Sequence, residues 1–224
     1  MPRFLALLVC LPLAAAAQMT ISQGTVQAIG SATISVPPDQ AQLDVGVVTQ
    51  AATAQDAGQQ NATLTTTVLN ALKGVLGTAG TIQTVSYSVS PRYSTTQGQT
   101  SLIIGYTASN TVEVTSTDLS LIGKLIDTAN QAGANSVGNL NFGLQNSEPV
   151  MQQALGQAAK QAQAHASAIA AGLGATTGSV ISAQEGASVT PYAVPGVSAA
   201  SSTPIQTGTV KVTADVTIVV RLIQ

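Results

Sequence analysis

The C-terminal segment, residues 209–222, constrains the fold more than any other part of the sequence. Its alternate positions are apolar and would share one face of a strand: Val210, Val212, Ala214, Val216, Ile218, Val220 and Leu222. The positions between them are polar except for Val219. A period of two residues is typical of a β-strand with one buried face. We therefore predict a long strand packed on a core, because a slip of one residue would expose the whole apolar row.

The N-terminal half predicts two strands and a helix. Loose alternation before Pro37 and Pro38 indicates a strand followed by a turn, and a half-buried strand follows with alternating Leu43, Val45 and Val47. Thr53 and Asp56 fit a capping box, in which the Thr53 hydroxyl accepts from the Asp56 amide and the carboxylate reaches back to the cap. An apolar stripe at helical spacing then predicts the first helix: Leu64, Val68, Leu72, Val75 and Leu76.

The middle of the chain predicts a long antiparallel hairpin. Its first strand has one apolar face formed by Val85, Tyr87, Val89, Pro91 and Tyr93. Its return strand has a matching face, interrupted at Asn110 and formed by Leu102, Ile104, Tyr106, Ala108, Val112 and Val114. The polar residues 94–101 form the predicted loop. We expect Tyr87, Tyr93 and Tyr106 to lie in the core.

Two further helices are predicted after the hairpin. Asp118 caps the second, whose stripe is Ile122, Leu125, Ile126 and Ala129. Glu148 and Pro149 open the third, whose stripe is Met151, Leu155, Ala158, Ala162, Ala166, Ile169 and Leu173. Its alanines would let it pack unusually close to its neighbour. A strand near residues 137–144 and another beginning at Val180 give an α+β class, with about three helices on one face of largely antiparallel sheets.

Composition excludes several kinds of partner. Charged residues make up 7% of the chain and its net charge is −2, so a basic nucleic-acid surface is not expected. We also expect no transmembrane segment after signal removal, because internal apolar runs fall short of the roughly 20 residues that a spanning helix needs. The 45% share of hydrophobic residues is enough to form a core.

The first 17 residues are predicted to be a secretory signal peptide. Arg3 supplies the positive charge, residues 4–13 form a short apolar core, and residues 14–17 (AAAA) offer a cleavage site before Gln18. Cys10 is the single cysteine and would leave with the signal. The expected product is an exported protein without thiols, located in a bacterial periplasm or outside the cell.

The sequence offers few groups for catalysis. His165 is the single histidine, and its spacing places it at the boundary of the third helix's apolar stripe. The nine carboxylates are scattered, and neither a nucleophile elbow nor a set of metal ligands at suitable spacing occurs. We therefore predict no enzyme activity, no catalytic residues, no cofactor and no metal site.

Residues 186–205 are rich in Ala, Ser, Val, Gly and Pro and are predicted to form a flexible loop. A long uncharged apolar loop is either mobile or buried in an assembly. The second alternative makes four residues candidate assembly contacts: Pro191, Tyr192, Val194 and Pro195.

Several local phrases resemble the SIMPL-domain family, which includes periplasmic immunogenic and oxidative-stress defence proteins. The matching phrases are residues 35–41 (SVPPDQA), 47–50 (VVTQ), 82–84 (IQT), 105–112 (GYTASNTV), 118–119 (DL) and 132–137 (AGANSV). The resemblance extends from about residue 20 to residue 224. The third helix departs from the family pattern, being rich in Ala and Gln where Lys and Glu are usual.

The resemblance implies two intertwined two-layer α+β subdomains. The expected partition joins residues 18–100 and 200–224 in an outer subdomain and inserts residues 101–190 as a second one. An alternative partition takes residues 40–145 as one β-α-β-β-α-β unit. The family offers no agreed catalytic residues to carry over.

The resemblance also implies an envelope or oxidative-stress role and self-assembly. The leading hypothesis is therefore an exported, non-enzymatic protein that forms a homo-oligomer, with an unidentified envelope protein as a possible further partner. One alternative is a periplasmic module that binds a small molecule or peptide, with the tyrosine-lined strands and residues 94–101 as the rim of its site. Another is a hydrolase that uses His165.

Overall fold

The computed structural model describes residues 24–94, 101–192 and 205–224. The predicted signal peptide therefore lies outside the described residues. The elements follow one another as β1 (Thr25–Val36), β2 (Gln40–Ala51), α1 (Ala54–Leu76), β3 (Gly80–Tyr93), β4 (Ile103–Ser116), a 3-10 turn (Leu119–Leu121), α2 (Ile122–Gln131), β5 (Ser136–Gly143), α3 (Glu148–Gly172), β6 (Thr176–Tyr192) and β7 (Thr209–Ile223). The predicted α+β class is confirmed.

A three-stranded antiparallel sheet has the order β1-β7-β6. The predicted C-terminal strand is its centre, and the even-numbered residues from Val212 to Val220 are buried against α3. The other face carries the polar row, where the hydroxyls of Thr33 and Thr213 lie 3.0 Å apart across the β1–β7 ladder. The alternation in β7 thus fixes which face of this sheet packs on its helix.

Helix α3 lies very close to this sheet through a row of alanines spaced by four residues. The buried side chains of α3 are Ala154, Ala158, Ala162, Ala166 and Ala170. A Cβ atom on Gly30 of β1 would lie 2.1 Å from the carbonyl oxygen of Ala158. The predicted close approach is therefore observed. The predicted stripe was wrong at its end, because the buried row continues from Ala166 to Ala170, whereas Ile169 and Leu173 are exposed.

A four-stranded antiparallel sheet has the order β3-β4-β2-β5, and α1 and α2 pack on one of its faces. Its core includes Leu43, Val45, Val68, Leu72 and Leu125. The cap of α1 differs slightly from the prediction. The Thr53 hydroxyl accepts from the Asp56 amide as expected, but the Asp56 carboxylate accepts a 2.7 Å hydrogen bond from that same hydroxyl.

The two sheets pack on different helices. Helix α1 packs on β2 and β4, whereas α3 packs on β1 and β7. β1 pairs with β7, and after the connection at Pro37 and Pro38 β2 pairs with β4 and β5. Each sheet thus has its own helices, and both predicted partitions into subdomains stay predictions.

Strand β6 is longer than the sequence indicated. Residues 186–192 were predicted to begin a flexible loop, but they continue the ladder with β7, from Gly186 opposite Asp215 to Tyr192 opposite Thr209. Pairing with a long neighbour overrides the weak strand preference of Ala, Gly and Ser. Residues 193–204, the rest of the predicted loop, lie outside the described residues. Among the described helices, none is long and apolar enough to cross a membrane.

Candidate assembly surface

The two sheets have four edge strands, which are β1, β6, β3 and β5. An unpaired strand edge presents backbone donors and acceptors that can pair with another chain. The edges that the protein leaves uncovered are therefore the places where a strand of another chain could pair.

Helix α3 covers the edge of β1 with two polar side chains one turn apart. Gln161 Oε1 accepts a 2.6 Å hydrogen bond from the backbone amide of Ser31. His165 Nδ1 lies 2.7 Å from the carbonyl oxygen of Ile29. Since a carbonyl can only accept, Nδ1 carries the proton in this contact. These contacts satisfy backbone groups that a neighbouring strand would otherwise use.

The same contact explains the role of the single histidine. His165 is exposed and lies at the boundary of the buried stripe of α3, where the sequence placed it. The partner of its Nδ1 atom is a backbone carbonyl and not a carboxylate, so this contact does not supply the acid of a catalytic triad for the hydrolase alternative. Within the described ranges, no group of three His, Cys, Asp or Glu side chains could hold a metal ion.

The edge of the four-stranded sheet next to β5 is short and irregular. β5 has 8 residues, and its pairing with β2 shifts between Gln42 and Asp44. Asn139 has a φ of 49° and donates from its amide to Asp44 Oδ2 at 2.8 Å. Just before β5, Asn135 takes the place of a strand residue, because its amide group bonds both the N–H and the C=O of Val48. Such irregular edges are poor templates for strand addition.

By contrast, β3 and β6 are long and exposed. Every residue of β3 from Gln83 to Tyr93 is exposed, and so is every residue of β6 from Ser179 to Thr190. β6 has 17 residues and β3 has 14. These two strands are the open edges of the described fold.

The hairpin of β3 and β4 also carries an exposed apolar cluster. We call it the hairpin cluster, and its members are Val85, Tyr87, Val89, Tyr93, Leu102, Ile103 and Ile104. The prediction that Tyr87 and Tyr93 are core residues was wrong, since they are 57% and 52% exposed. Both tyrosines lie on the face of the sheet that carries α1. Helix α1 begins at Ala54, and it covers this face only as far as the Tyr87 hydroxyl, which lies beside Gly58. Tyr106 is half-buried.

The sequence-predicted assembly residues lie at or beyond the end of β6. Pro191 and Tyr192 pair with Val210 and Thr209 in the last part of the ladder. Val194 and Pro195 lie outside the described residues. The exposed hairpin cluster was not singled out from the sequence as an assembly surface, although its alternating residues were identified.

A separate open cavity of about 470 Å³ lies along α1. Its described lining residues are Asp56, Gln59, Gln60, Thr63, Leu64 and Thr67. Five of these side chains are polar, and Leu64 is the apolar one.

Comparison with known proteins tests the resemblance. The profile of the SIMPL family, described as "Protein of unknown function (DUF541)", matches residues 26–220. The chain belongs to the SIMPL family. It is also 30% identical over 145 residues to the "26 kDa periplasmic immunogenic protein" of Brucella melitensis, and equally to that of Brucella abortus. The alignment covers 63% of this chain and 58% of each Brucella protein, so the chain spans less than two-thirds of the curated relatives it matches.

Proposed function

We propose that this SIMPL protein is exported to the periplasm and works in the cell envelope by self-assembly, without catalysis of its own. Its relatives are named periplasmic immunogenic proteins, and its first residues have the composition of a signal peptide. An oxidative-stress-protective role belongs to the same proposal and is supported by the family resemblance.

The observation that carries the proposal is the hairpin cluster. Its seven apolar side chains are exposed on one hairpin, in a chain with only four tyrosines and two phenylalanines. Several exposed apolar side chains on one hairpin are typical of an interaction site, and tyrosine is enriched at such sites. Burying it against another subunit would remove this surface from water.

The test is the native mass of the exported protein, measured by light scattering after size exclusion. We expect a discrete assembly for the wild type and a smaller species for Leu102→Ser combined with Ile104→Ser. The matched control is Ile29→Ser, which removes an exposed apolar side chain on the other sheet and should leave the mass unchanged. A wild-type monomer at every concentration would refute self-assembly.

Export is tested separately by cell fractionation and N-terminal sequencing. The expected result is a periplasmic protein that begins at Gln18. A cytoplasmic protein that retains Arg3 and Cys10 would contradict the proposed signal peptide.

The stress role is tested in the producing cell. Deleting the gene should lower survival in hydrogen peroxide, and complementation with the wild type should restore it. If the assembly carries the function, Leu102→Ser combined with Ile104→Ser should fail to complement. Unchanged survival of the deletion strain would remove the stress role.

Exposure of Tyr87 and Tyr93 favours a second candidate function, the binding of a small molecule or peptide on the hairpin. Thermal-shift screening should then find a ligand that raises the melting temperature, because binding to the native state stabilises it. The stabilisation should disappear in Tyr87→Ser combined with Tyr93→Ser. A broad screen without stabilising compounds would count against this function.

A further inference from the structure

We infer that the open edge of β3 pairs with the open edge of β6 in a second copy of the chain. This inference rests on the proposed self-assembly and names the surfaces that carry it. Each sheet would thus be extended by a sheet of a neighbouring copy, through backbone hydrogen bonds between edge strands.

The first argument is that these two edges have regular stretches long enough to pair. β3 keeps an unbroken register with β4 over residues 86–92, and β6 keeps one with β7 over residues 182–192. Pro91 and Pro191 lack an amide donor, which leaves residues 86–90 of β3 and 182–190 of β6. A typical strand has five or six residues, so these stretches are still long enough to pair. The other edges are less suitable, because Gln161 and His165 cover β1 and β5 is short and irregular.

The second argument is charge complementarity. Arg92 is the single charged residue of β3, and Glu185 is the single charged residue of β6. Both side chains are exposed. Pairing β3 with β6 brings opposite charges to one interface, whereas pairing either strand with its own copy brings like charges together. A second copy of this chain is therefore the occupant that the two edges fit.

The third argument is that both edges carry exposed apolar side chains. Tyr87 and Val89 lie within the regular stretch of β3, and Val189 lies within that of β6. Cross-strand contacts between such side chains stabilise a ladder beyond its backbone bonds.

This pairing has a consequence for the kind of assembly. Because β3 and β6 are different surfaces, the contact is head-to-tail, and each copy can use both edges at once. Head-to-tail contacts produce closed rings when the rotation closes and open filaments when it does not. A symmetric dimer is not the expected product.

Charge reversal tests the pairing by size exclusion with light scattering. Arg92→Glu and Glu185→Arg should each raise the concentration at which the assembly half-dissociates by roughly tenfold, since each places like charges at the interface. The chain that carries both reversals should assemble like the wild type. Lys160→Glu is the matched control, because it alters the net charge as Arg92→Glu does but lies on the exposed side of α3, and it should have no effect.

Cross-linking provides an independent readout in a chain that carries Cys10→Ala and so has no other cysteine. Ser90→Cys and Ser188→Cys proteins are mixed and treated with a short bis-maleimide. The expected product is a dimer that links Cys at position 90 of one copy to Cys at position 188 of another. Dimers formed equally well by either protein alone would overturn the inference.

The outcomes separate this inference from the proposed function. The β3–β6 pairing would be overturned if the wild type assembles but the charge reversals have no effect and no mixed cross-link forms. Self-assembly would then still stand. A wild type that is monomeric would overturn both. Loss of assembly in each single reversal and recovery in the double reversal would establish the pairing.

Discussion

Asn61 and Asn110 both face the core between α1 and the four-stranded sheet. Asn61 is fully buried, and its amide donates to the carbonyl oxygens of Val47 at 2.8 Å and Ala108 at 3.2 Å. It thereby ties α1 to β2 and β4. Although Asn61 begins a formal N-x-T glycosylation sequon, its burial makes the side chain inaccessible in the folded protein.

Replacing Asn61 should destabilise the fold. Asn61→Ala leaves a cavity and removes the two donors, so we expect the free energy of unfolding to fall by about 1–3 kcal/mol. Urea denaturation followed by circular dichroism measures this change. The control is Asn70→Ala, an exposed site on the same helix, which should not destabilise the protein because alanine has the higher helix propensity. Equal stability of Asn61→Ala and the wild type would contradict the assigned role.

Replacing Asn110 should instead stabilise the fold. Its Oδ1 atom is buried without a hydrogen-bond partner among the described residues, and it lies opposite Val47 and Tyr87 in the ladders. Asn110→Val removes an unsatisfied polar atom and introduces a side chain that favours strands. We expect the free energy of unfolding to rise by about 1 kcal/mol in the same measurement. A lower value would mean that the Asn110 amide makes a contact worth more than its burial costs.

At the scale of elements, the contact between α3 and β1 depends on Gly30. A Cβ atom there would overlap the carbonyl oxygen of Ala158 and lie 2.3 Å from the nitrogen of Ala162. Because backbone atoms cannot rotate away, Gly30→Ala should force α3 off the sheet and lower the free energy of unfolding by about 1–3 kcal/mol. Thermal unfolding followed by circular dichroism provides the readout.

The matched control is a glycine-to-alanine change on α3, away from its contact with β1. Gly156 lies on the exposed side of α3, and a Cβ atom there would meet nothing within 4 Å. Gly156→Ala should therefore stabilise the protein by about 0.5–1 kcal/mol through helix propensity. If both variants were equally stable, the close approach at Gly30 would carry no energetic weight.

The elements differ in how well the sequence predicted them, for physical reasons. The period of β7 and the stripe of α1 could be predicted because each element has one face on a core and one on solvent. The strand at residues 186–192 could not, since its small residues show no period and its ladder with β7 depends on tertiary pairing. The exposure of Tyr87 and Tyr93 could not be predicted either, because periodicity identifies the apolar face but not where α1 stops covering it.

At the scale of the whole molecule, the two sheets have separate cores joined by few contacts. The described buried residues divide into one cluster around α1 and α2 and another around α3. Near the connecting turn, Asp39 donates its amide to the carbonyl of Gly143 at 3.1 Å and accepts the amide of Gln145 on its carboxylate at 2.6 Å. Residues 40–145 are continuous in the chain, whereas the other core combines β1 with distant C-terminal elements.

Separate cores predict that a local lesion weakens one sheet and spares the other. Gly30→Ala should lower amide hydrogen-exchange protection in β1 and β7 while β2 and β4 keep theirs, and Asn61→Ala should do the reverse. Both variants are needed, because a general loss of stability would lower the protection of both sheets in each of them. Equal loss in both sheets would show one cooperative unit, and the unit of residues 40–145 would then have no separate stability. If each variant instead loses protection in its own sheet alone, the two cores are stable independently of each other. Subunits could then join through β3 of one sheet and β6 of the other without either core depending on the other's fold.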